Sequence, residues 1–153
     1  MKPIKAIAVF ASCLGLSLTA GTSAAQQPPP NALPNPVLYM SHVESVEIRG
    51  NTFIRYHFDV LNKEQFPAAM FAAAPNLPPC GANPNSARTW VDFFEKGTNR
   101  RIYGFCALGS SNDLGSIWFA MPEGEVPPSY VYIELNDRQT NTKYRSNLAD
   151  TTM

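Results

Sequence analysis

The stretch NTFIRYHFDVL, residues 51–61, alternates between apolar and polar side chains along most of its length. A period of two residues is typical of a strand that buries one face and exposes the other. The residues that this period assigns to a core are Ile54, Tyr56, Phe58 and Val60. The opposite face carries a polar stripe that consists of Arg55, His57 and Asp59. The stretch therefore predicts one strand of an antiparallel sheet.

Six other runs are rich in valine, isoleucine, phenylalanine and tyrosine, and turn sequences such as KGTNR and DRQTN separate them. They span residues 38–48, 88–95, 101–107, 114–121, 129–136 and 142–148. Their inward residues by the same period include Val91, Phe93, Ile117, Phe119, Met121, Val131, Ile133 and Leu135. The segment FPAAMFAAAP, residues 66–75, fits either a short helix or a short edge strand. Seven or eight strands in one small domain predict an all-β fold, a single antiparallel β-sandwich.

The segment VPPSYVYIELND, residues 126–137, is similar to the approach to the sixth strand of immunoglobulin-like and fibronectin type III domains. Together with the number and spacing of strands, it makes residues 37–149 resemble that family in architecture. The resemblance implies that the third, fourth and sixth strands share one sheet. Two features depart from the family's pattern. Tyr130 and Tyr132 take the phase opposite to the core, and Cys80 lies in a loop instead of a strand.

Residues 1–25 have the composition of a secretory signal peptide. MKPIK carries two lysines, and the apolar run AIAVFASCLGLSLTAG is too short and too rich in small residues to favour a membrane span. Small residues predict cleavage after Ala24 or Ala25, with an uncleaved anchor as the alternative. Residues 26–36, QQPPPNALPNP, predict an extended proline-rich linker before a domain over residues 37–149. We therefore expect a secreted or periplasmic protein with no membrane span in the mature chain.

Two of the three cysteines, Cys80 and Cys106, remain once Cys13 leaves with the signal peptide. In an oxidising compartment this pair predicts a structural disulfide, which would hold the loop NLPPCGANPN, residues 76–85, against the fourth strand. A structural zinc site would need four cysteine or histidine ligands, and a redox dithiol usually has CxxC spacing. Neither pattern is present in the sequence. We expect neither a metal nor a cofactor.

Aromatic and charged residues occupy the outward phase of the third, fourth and sixth strands. They are Trp90, Asp92, Phe94, Arg101, Tyr103, Phe105, Tyr130, Tyr132 and Glu134. Tyrosine, tryptophan and arginine offer a large contact area at little entropic cost and dominate recognition surfaces. We predict a binding face for a protein or a glycan, carried by Trp90, Arg101, Tyr103, Tyr130 and Tyr132. The alternatives are that these aromatics pair across strands, or that they lie beneath the segment 62–87.

Other classes of function have less support. Removal of Lys2 and Lys5 with the signal peptide lowers the basic count from 12 to 10, against 12 acidic residues, so a nucleic-acid partner is not expected. A G-x-S-x-G elbow and a nucleotide-binding glycine motif are absent, so an enzyme is not expected. One alternative is a small envelope hydrolase that uses carboxylates drawn from Asp92, Glu95 and Glu134. Another is a structural component that assembles through an exposed edge strand.

Overall fold

Two antiparallel sheets pack on each other in the computed structural model, which describes residues 32–80, 86–107 and 109–152. The predicted signal peptide, residues 1–25, lies outside these ranges, as does most of the predicted linker, residues 26–36. Among the described residues, no helix combines the length and the apolar composition that a membrane span requires.

Eight strands build the two sheets. In chain order they are β1 (Leu38–Ile48), β2 (Asn51–Val60), β3 (Thr89–Glu95), β4 (Arg101–Ala107), β5 (Ile117–Pro122), β6 (Tyr130–Asp137), β7 (Thr142–Arg145) and β8 (Ala149–Asp150). The three-stranded sheet has the order β1-β2-β5. The five-stranded sheet has the order β4-β3-β6-β7, and β8 pairs with the beginning of β6. The seven predicted strands correspond to β1–β7, and the predicted all-β fold is confirmed.

The segment 66–75, for which the sequence allows a helix or a strand, contains one short 3-10 helix, Ala68–Phe71. Proline precedes this helix at Pro67, where its fixed φ fits the extended backbone. Two further 3-10 helices are Lys63–Gln65 and Ser111–Gly115. The latter occupies the beginning of the predicted strand 114–121, so β5 begins only at Ile117. The helices Ala68–Phe71 and Ser111–Gly115 both bury apolar side chains in the core.

Three phenylalanines from both sheets form the centre of the core. The rings of Phe58 and Phe93 have centroids 5.3 Å apart, and those of Phe93 and Phe119 are 5.5 Å apart. All three side chains are fully buried. These distances are typical of tilted and edge-to-face aromatic pairs, which add to the stabilisation from burial. The two-residue period predicted these positions correctly, although Ile54 and Met121, near the end of the sheet, are only partly buried.

A β-bulge in β1 changes which side chains point outward. Met40 lies opposite Phe58 and His42 lies opposite His57, so Ser41 is an extra residue without a partner in the pairing. The Ser41 hydroxyl donates a hydrogen bond to the His57 carbonyl oxygen. An extra residue reverses the alternation of faces beyond it. Met40 therefore packs on the core, whereas His42 points outward beside His57.

A second bulge, in β4, moves Tyr103, a predicted binding residue, and Phe105, a predicted outward residue, to the inner face. Arg101 pairs with Phe94 and Tyr103 pairs with Phe93, so Ile102 is the extra residue. Residues directly opposite each other in a sheet share a face. Tyr103 and Phe105 therefore lie on the same face as the buried Phe93, and only Arg101 points outward. The predicted outward orientation of Tyr103 and Phe105 is wrong, because the bulge reverses the phase after Arg101.

The described residues of the segment 62–87 are attached to the rest of the protein at two places. Phe66, Met70 and Phe71 enter the core. Farther along, Cys80 forms the predicted disulfide with Cys106 of β4, with the two Cα atoms 6.1 Å apart. The described residues of this segment thus contribute to the core through its first half and reach the outer side of β4 at the disulfide.

Candidate functional site

The outer face of the five-stranded sheet gathers most of the predicted binding residues. Cross-strand pairing places on this face Trp90, Asp92 and Phe94 of β3, Arg101 and Gly104 of β4, Tyr132, Glu134 and Asn136 of β6, and Lys143 and Arg145 of β7. We call this set the outer face below. Trp90, Arg101 and Tyr132 are among the predicted residues. The structure adds Asn136, which continues the phase of Tyr132 and Glu134, and also Lys143 and Arg145 of β7, which the sequence period alone did not bring to this surface.

Asp92 is the central hydrogen-bond acceptor of the outer face. Its Oδ1 accepts hydrogen bonds from Trp90 Nε1 and from Arg101 Nε, each at 2.5 Å. Its Oδ2 accepts a hydrogen bond from Asn136 Nδ2 at 3.1 Å. Three donors from three strands therefore hold this carboxylate in one orientation. Such an arrangement preorganises the neighbouring side chains, because each is bonded to the same fixed group.

Cations lie above the aromatic rings of this sheet. The Arg101 Cζ atom is 5.4 Å from the centroid of the Trp90 ring, and the Arg145 Cζ atom is 3.7 Å from that of Tyr132. Lys96 Nζ is 4.8 Å from the centroid of the Tyr130 ring. These are distances at which a cation is attracted to the ring quadrupole. The rings therefore support a layer of positive charge on the solvent side.

An open cavity of about 360 Å³ lies at one end of the outer face, lined by Trp90, Asp92, Arg101, Asn136 and Arg138. Arg138 donates hydrogen bonds to the carbonyl oxygens of Ala87 and Pro78 and is thereby fixed at the rim. Asn136 Oδ1 is buried, and no described residue donates a hydrogen bond to it. A buried acceptor without a donor is energetically unfavourable. The groups that the cavity presents to solvent thus include two guanidinium groups, those of Arg101 and Arg138.

Two of the predicted binding residues, Tyr132 and Tyr103, are less accessible on the outer face than the sequence predicts. Tyr132 points to the outer face but is only 3% exposed, because its ring stacks on Phe94 with centroids 5.2 Å apart and lies beneath Arg145. Tyr103 leaves the outer face altogether and stacks against Trp118 of β5, with ring centroids 5.9 Å apart. Tyr130 remains exposed beside Lys96. The aromatic contribution to an accessible surface is therefore smaller than the sequence predicts, and the cationic contribution is larger.

The three carboxylates suggested for a hydrolase interact with different sets of neighbouring side chains. Asp92 and Glu134 lie opposite each other on neighbouring strands. Glu134 pairs with Lys143 Nζ at 3.3 Å. Glu95 instead lies at the end of β3, where a hydrogen bond from Thr98 of the β3–β4 turn, supported by Arg100, lowers the pKa of its carboxyl group. Each carboxylate is thus committed to neighbouring donors.

The outer surface of the three-stranded sheet carries a second polar cluster. The predicted stripe of Arg55, His57 and Asp59 lies there, and the bulge in β1 adds His42 and Glu44. Glu44 Oε1 lies 2.9 Å from His57 Nε2 and 3.3 Å from Arg55 Nη1. The hydrogen bond with His57, together with Arg55, lowers the pKa of Glu44. The stripe is divided, because Asp59 pairs with Lys63 instead.

Comparison of the chain with protein-family models, with curated proteins and with solved structures found no match. The observations that bear on function are therefore those of the two surfaces described above.

Gly104 makes room for the Arg101–Asp92 pair on the outer face. A Cβ atom at this position would overlap the Asp92 carboxylate and the Arg101 guanidinium, with Arg101 Cζ only 2.8 Å away. We expect Gly104→Ala to displace the flexible Arg101 side chain from Asp92 and from the Trp90 ring. The stability should change by less than about 1 kcal/mol, since the pair is partly exposed.

The measurement is the fluorescence emission of Trp90 in a Trp118→Phe background, which leaves a single tryptophan. Gly104→Ala should reproduce the emission change that Arg101→Ala causes. An unchanged spectrum in Gly104→Ala beside a changed one in Arg101→Ala would show that the glycine is not needed for the pair.

Proposed function

We propose that this protein is an exported, non-enzymatic binding module that holds an acidic glycan on the outer face of the five-stranded sheet. One observation carries the proposal, namely the order of charge from the sheet toward solvent. The side chains of Asp92 and Glu134 are only 15% and 18% exposed, whereas those of their partners Arg101 and Lys143 are 49% and 63% exposed. An approaching molecule therefore meets guanidinium and ammonium groups first.

The cations on this surface exceed the anions. Arg101, Lys143 and Arg145 on the strands and Arg138 at the rim oppose two carboxylates. Clustered charge of one sign raises the local concentration of oppositely charged ligands. The face is basic although the predicted mature chain carries slightly more acidic than basic residues. An anionic partner is thus favoured locally and not by the chain as a whole.

The cavity favours a polyhydroxylated ligand over a flat protein surface. The adjacent guanidinium groups of Arg101 and Arg138 are planar donors that match a carboxylate. A sugar acid supplies that carboxylate, together with hydroxyls that can hydrogen-bond to the polar lining. The half-buried Trp90 at the same site adds apolar contact area for a sugar ring.

Export and the family resemblance belong to the same proposal. The Cys80–Cys106 disulfide is typical of oxidising compartments, which supports secretion or a periplasmic location. The resemblance to immunoglobulin-like and fibronectin type III domains is supported by the presence of the third, fourth and sixth strands in one sheet, as that layout implies. An exported module would meet the glycans of a cell envelope or exterior.

The proposal is tested by measuring binding of the purified protein to polygalacturonate and to a neutral glucan of the same length. We expect binding to the uronate polymer, with affinity that falls as salt is added because charges are screened. The double variant Arg101→Ala/Arg145→Ala should weaken binding by at least about tenfold, the effect expected when central contacts of an interface are removed.

Arg49→Asn provides the matched control. It removes one positive charge from the β1–β2 turn, and asparagine tolerates the positive φ of 53° found there. Its binding should equal that of the unmodified protein. Equal binding of the neutral glucan, or equal losses in Arg49→Asn and in the double variant, would contradict the proposal. Capture of an acidic protein but of no uronate polymer would redirect it toward a protein partner.

A further inference from the structure

The bulge at Ser41 brings together both histidines of the chain. The sequence contains two histidines, and they lie directly opposite each other on β1 and β2. Glu44, two residues after His42, points to the same outer surface. We propose that His42, Glu44 and His57 bind one divalent transition-metal ion, of the zinc or copper kind. The site belongs to the three-stranded sheet and is independent of the proposed glycan-binding face.

The separation of the ligand atoms suits one ion. One potential ligand atom from each of the three residues lies within 4.8 Å of the other two. Zinc binds nitrogen and oxygen ligands at about 2.0–2.2 Å, which puts tetrahedral ligand atoms about 3.4 Å apart. The Glu44 Oε1 and His57 Nε2 atoms, at 2.9 Å, are already close to that spacing. The remaining contraction, from at most 4.8 Å to about 3.4 Å, is within the reach of side-chain torsions.

The ligand types indicate which ion is favoured. Two imidazoles and one carboxylate suit zinc, copper or nickel, whereas magnesium and calcium prefer oxygen ligands alone. Two histidines and one glutamate, with a fourth position open to water, form a known type of zinc site. We therefore expect transition-metal ions to bind and magnesium to bind much more weakly.

One ring must turn when the ion binds. The His42 and His57 rings stack with centroids 4.3 Å apart and planes inclined by 6°. A metal ion lies close to the plane of each imidazole that ligates it, so two parallel stacked rings cannot hold it without rotation. His42 is the ring that can move, because it is exposed, while the His57 side chain is 12% exposed and is bonded to Glu44.

Arg55 is the cation nearest to the site. Its Nη1 shares Glu44 Oε1 with His57, and its guanidinium lies 4.5 Å from the centroid of the Trp118 ring. The aromatic contact holds the positive charge to the side of Trp118, on the neighbouring strand β5.

Isothermal titration of the untagged protein with zinc chloride tests the inference, in a Cys13→Ser background that removes the thiol outside the described residues. We expect one ion per chain. His42→Asn and Glu44→Gln should each lower the affinity by at least about tenfold, because each removes one of three protein ligands. His42 is exposed, so its replacement should leave folding intact. Glu47→Gln, on the same strand but outside the cluster, should bind like the parent.

NMR of the imidazole rings distinguishes metal binding from a purely structural role of the two histidines. Only two histidine side chains contribute signals, so each is resolved directly. Zinc should shift both sets of ring resonances, and the larger change should occur at His42 as its ring leaves the stack. Failure of zinc and copper to bind, or zinc affinity that is unchanged in His42→Asn, would overturn the inference. Equal binding of magnesium would overturn the assigned ion class.

Discussion

Replacing Asp137 with asparagine is expected to lower the free energy of unfolding by about 3 kcal/mol at pH 7. Asp137 is 3% exposed and receives two hydrogen bonds from Arg88, at 2.8 and 2.7 Å. This pair ties Arg88, the residue that precedes β3, to the end of β6. Removing the carboxylate leaves a half-buried guanidinium without its counter-charge, which is the costly way to break such a pair.

The same pair predicts how stability depends on pH. The hydrogen bonds from Arg88 lower the pKa of Asp137 from 3.8 to about 2. A carboxyl group with a lowered pKa stabilises the fold above the pKa of the unfolded chain and loses that contribution as pH falls through the folded value. About 2 kcal/mol should therefore be lost between about pH 4 and pH 2. In Asp137→Asn this part of the acid dependence should be absent.

Chemical denaturation at pH 7 and at a series of acidic pH values measures both effects. Glu95→Gln is the control, since its partner Arg100 is 66% exposed and a surface pair contributes little. It should be far less destabilising than Asp137→Asn. A similar stability of Asp137→Asn and Glu95→Gln at pH 7 would contradict the assignment of a buried, stabilising ion pair.

Removing the disulfide with Cys80→Ser/Cys106→Ser is expected to cost about 3.5 kcal/mol. The two cysteines are 26 residues apart, and closing a loop of that length restricts the unfolded chain by about this free energy in the chain-entropy model. The loss should appear as a lower midpoint of denaturation. The contacts of Phe66 and Phe71 with the core should keep the folded structure of the variant close to that of the parent.

Reduction of the unmodified protein is the matched comparison for this variant. Both treatments open the same loop, so the reduced parent and the double variant should unfold at the same denaturant concentration. A double variant as stable as the oxidised parent would show that the bridge does not restrict the unfolded chain. A reduced parent that stays as stable as the oxidised form would lead to the same conclusion.

Much of the fold could be predicted from local sequence. Alternation at a period of two residues identified the strands and the inner positions of Phe58, Phe93 and Phe119, because burial of one sheet face imposes that period. The two cysteines of the predicted mature chain were paired correctly by elimination. The segment 66–75 could not be assigned, since a single 3-10 turn is too short to show a period.

The candidate sites were less predictable, because they depend on neighbours that are distant in sequence. Lys143 and Arg145 join the outer face through the pairing of β7 with β6, and no local pattern reports that register. Tyr132 has the predicted orientation but is covered by Phe94 and Arg145. Exposure of a side chain on a sheet depends on the size of its cross-strand neighbours.

The strands, their order along the chain and the inward phase of most of them can be predicted from the sequence alone, since they follow from the apolar period. The phase of β1 and β4 depends on the tertiary structure. The bulges at Ser41 and Ile102 each insert one residue and reverse every later side chain of that strand. They turn Tyr103 inward and His42 outward. A bulge is defined by an unpaired residue opposite another strand, so it exists only once that partner strand is in place.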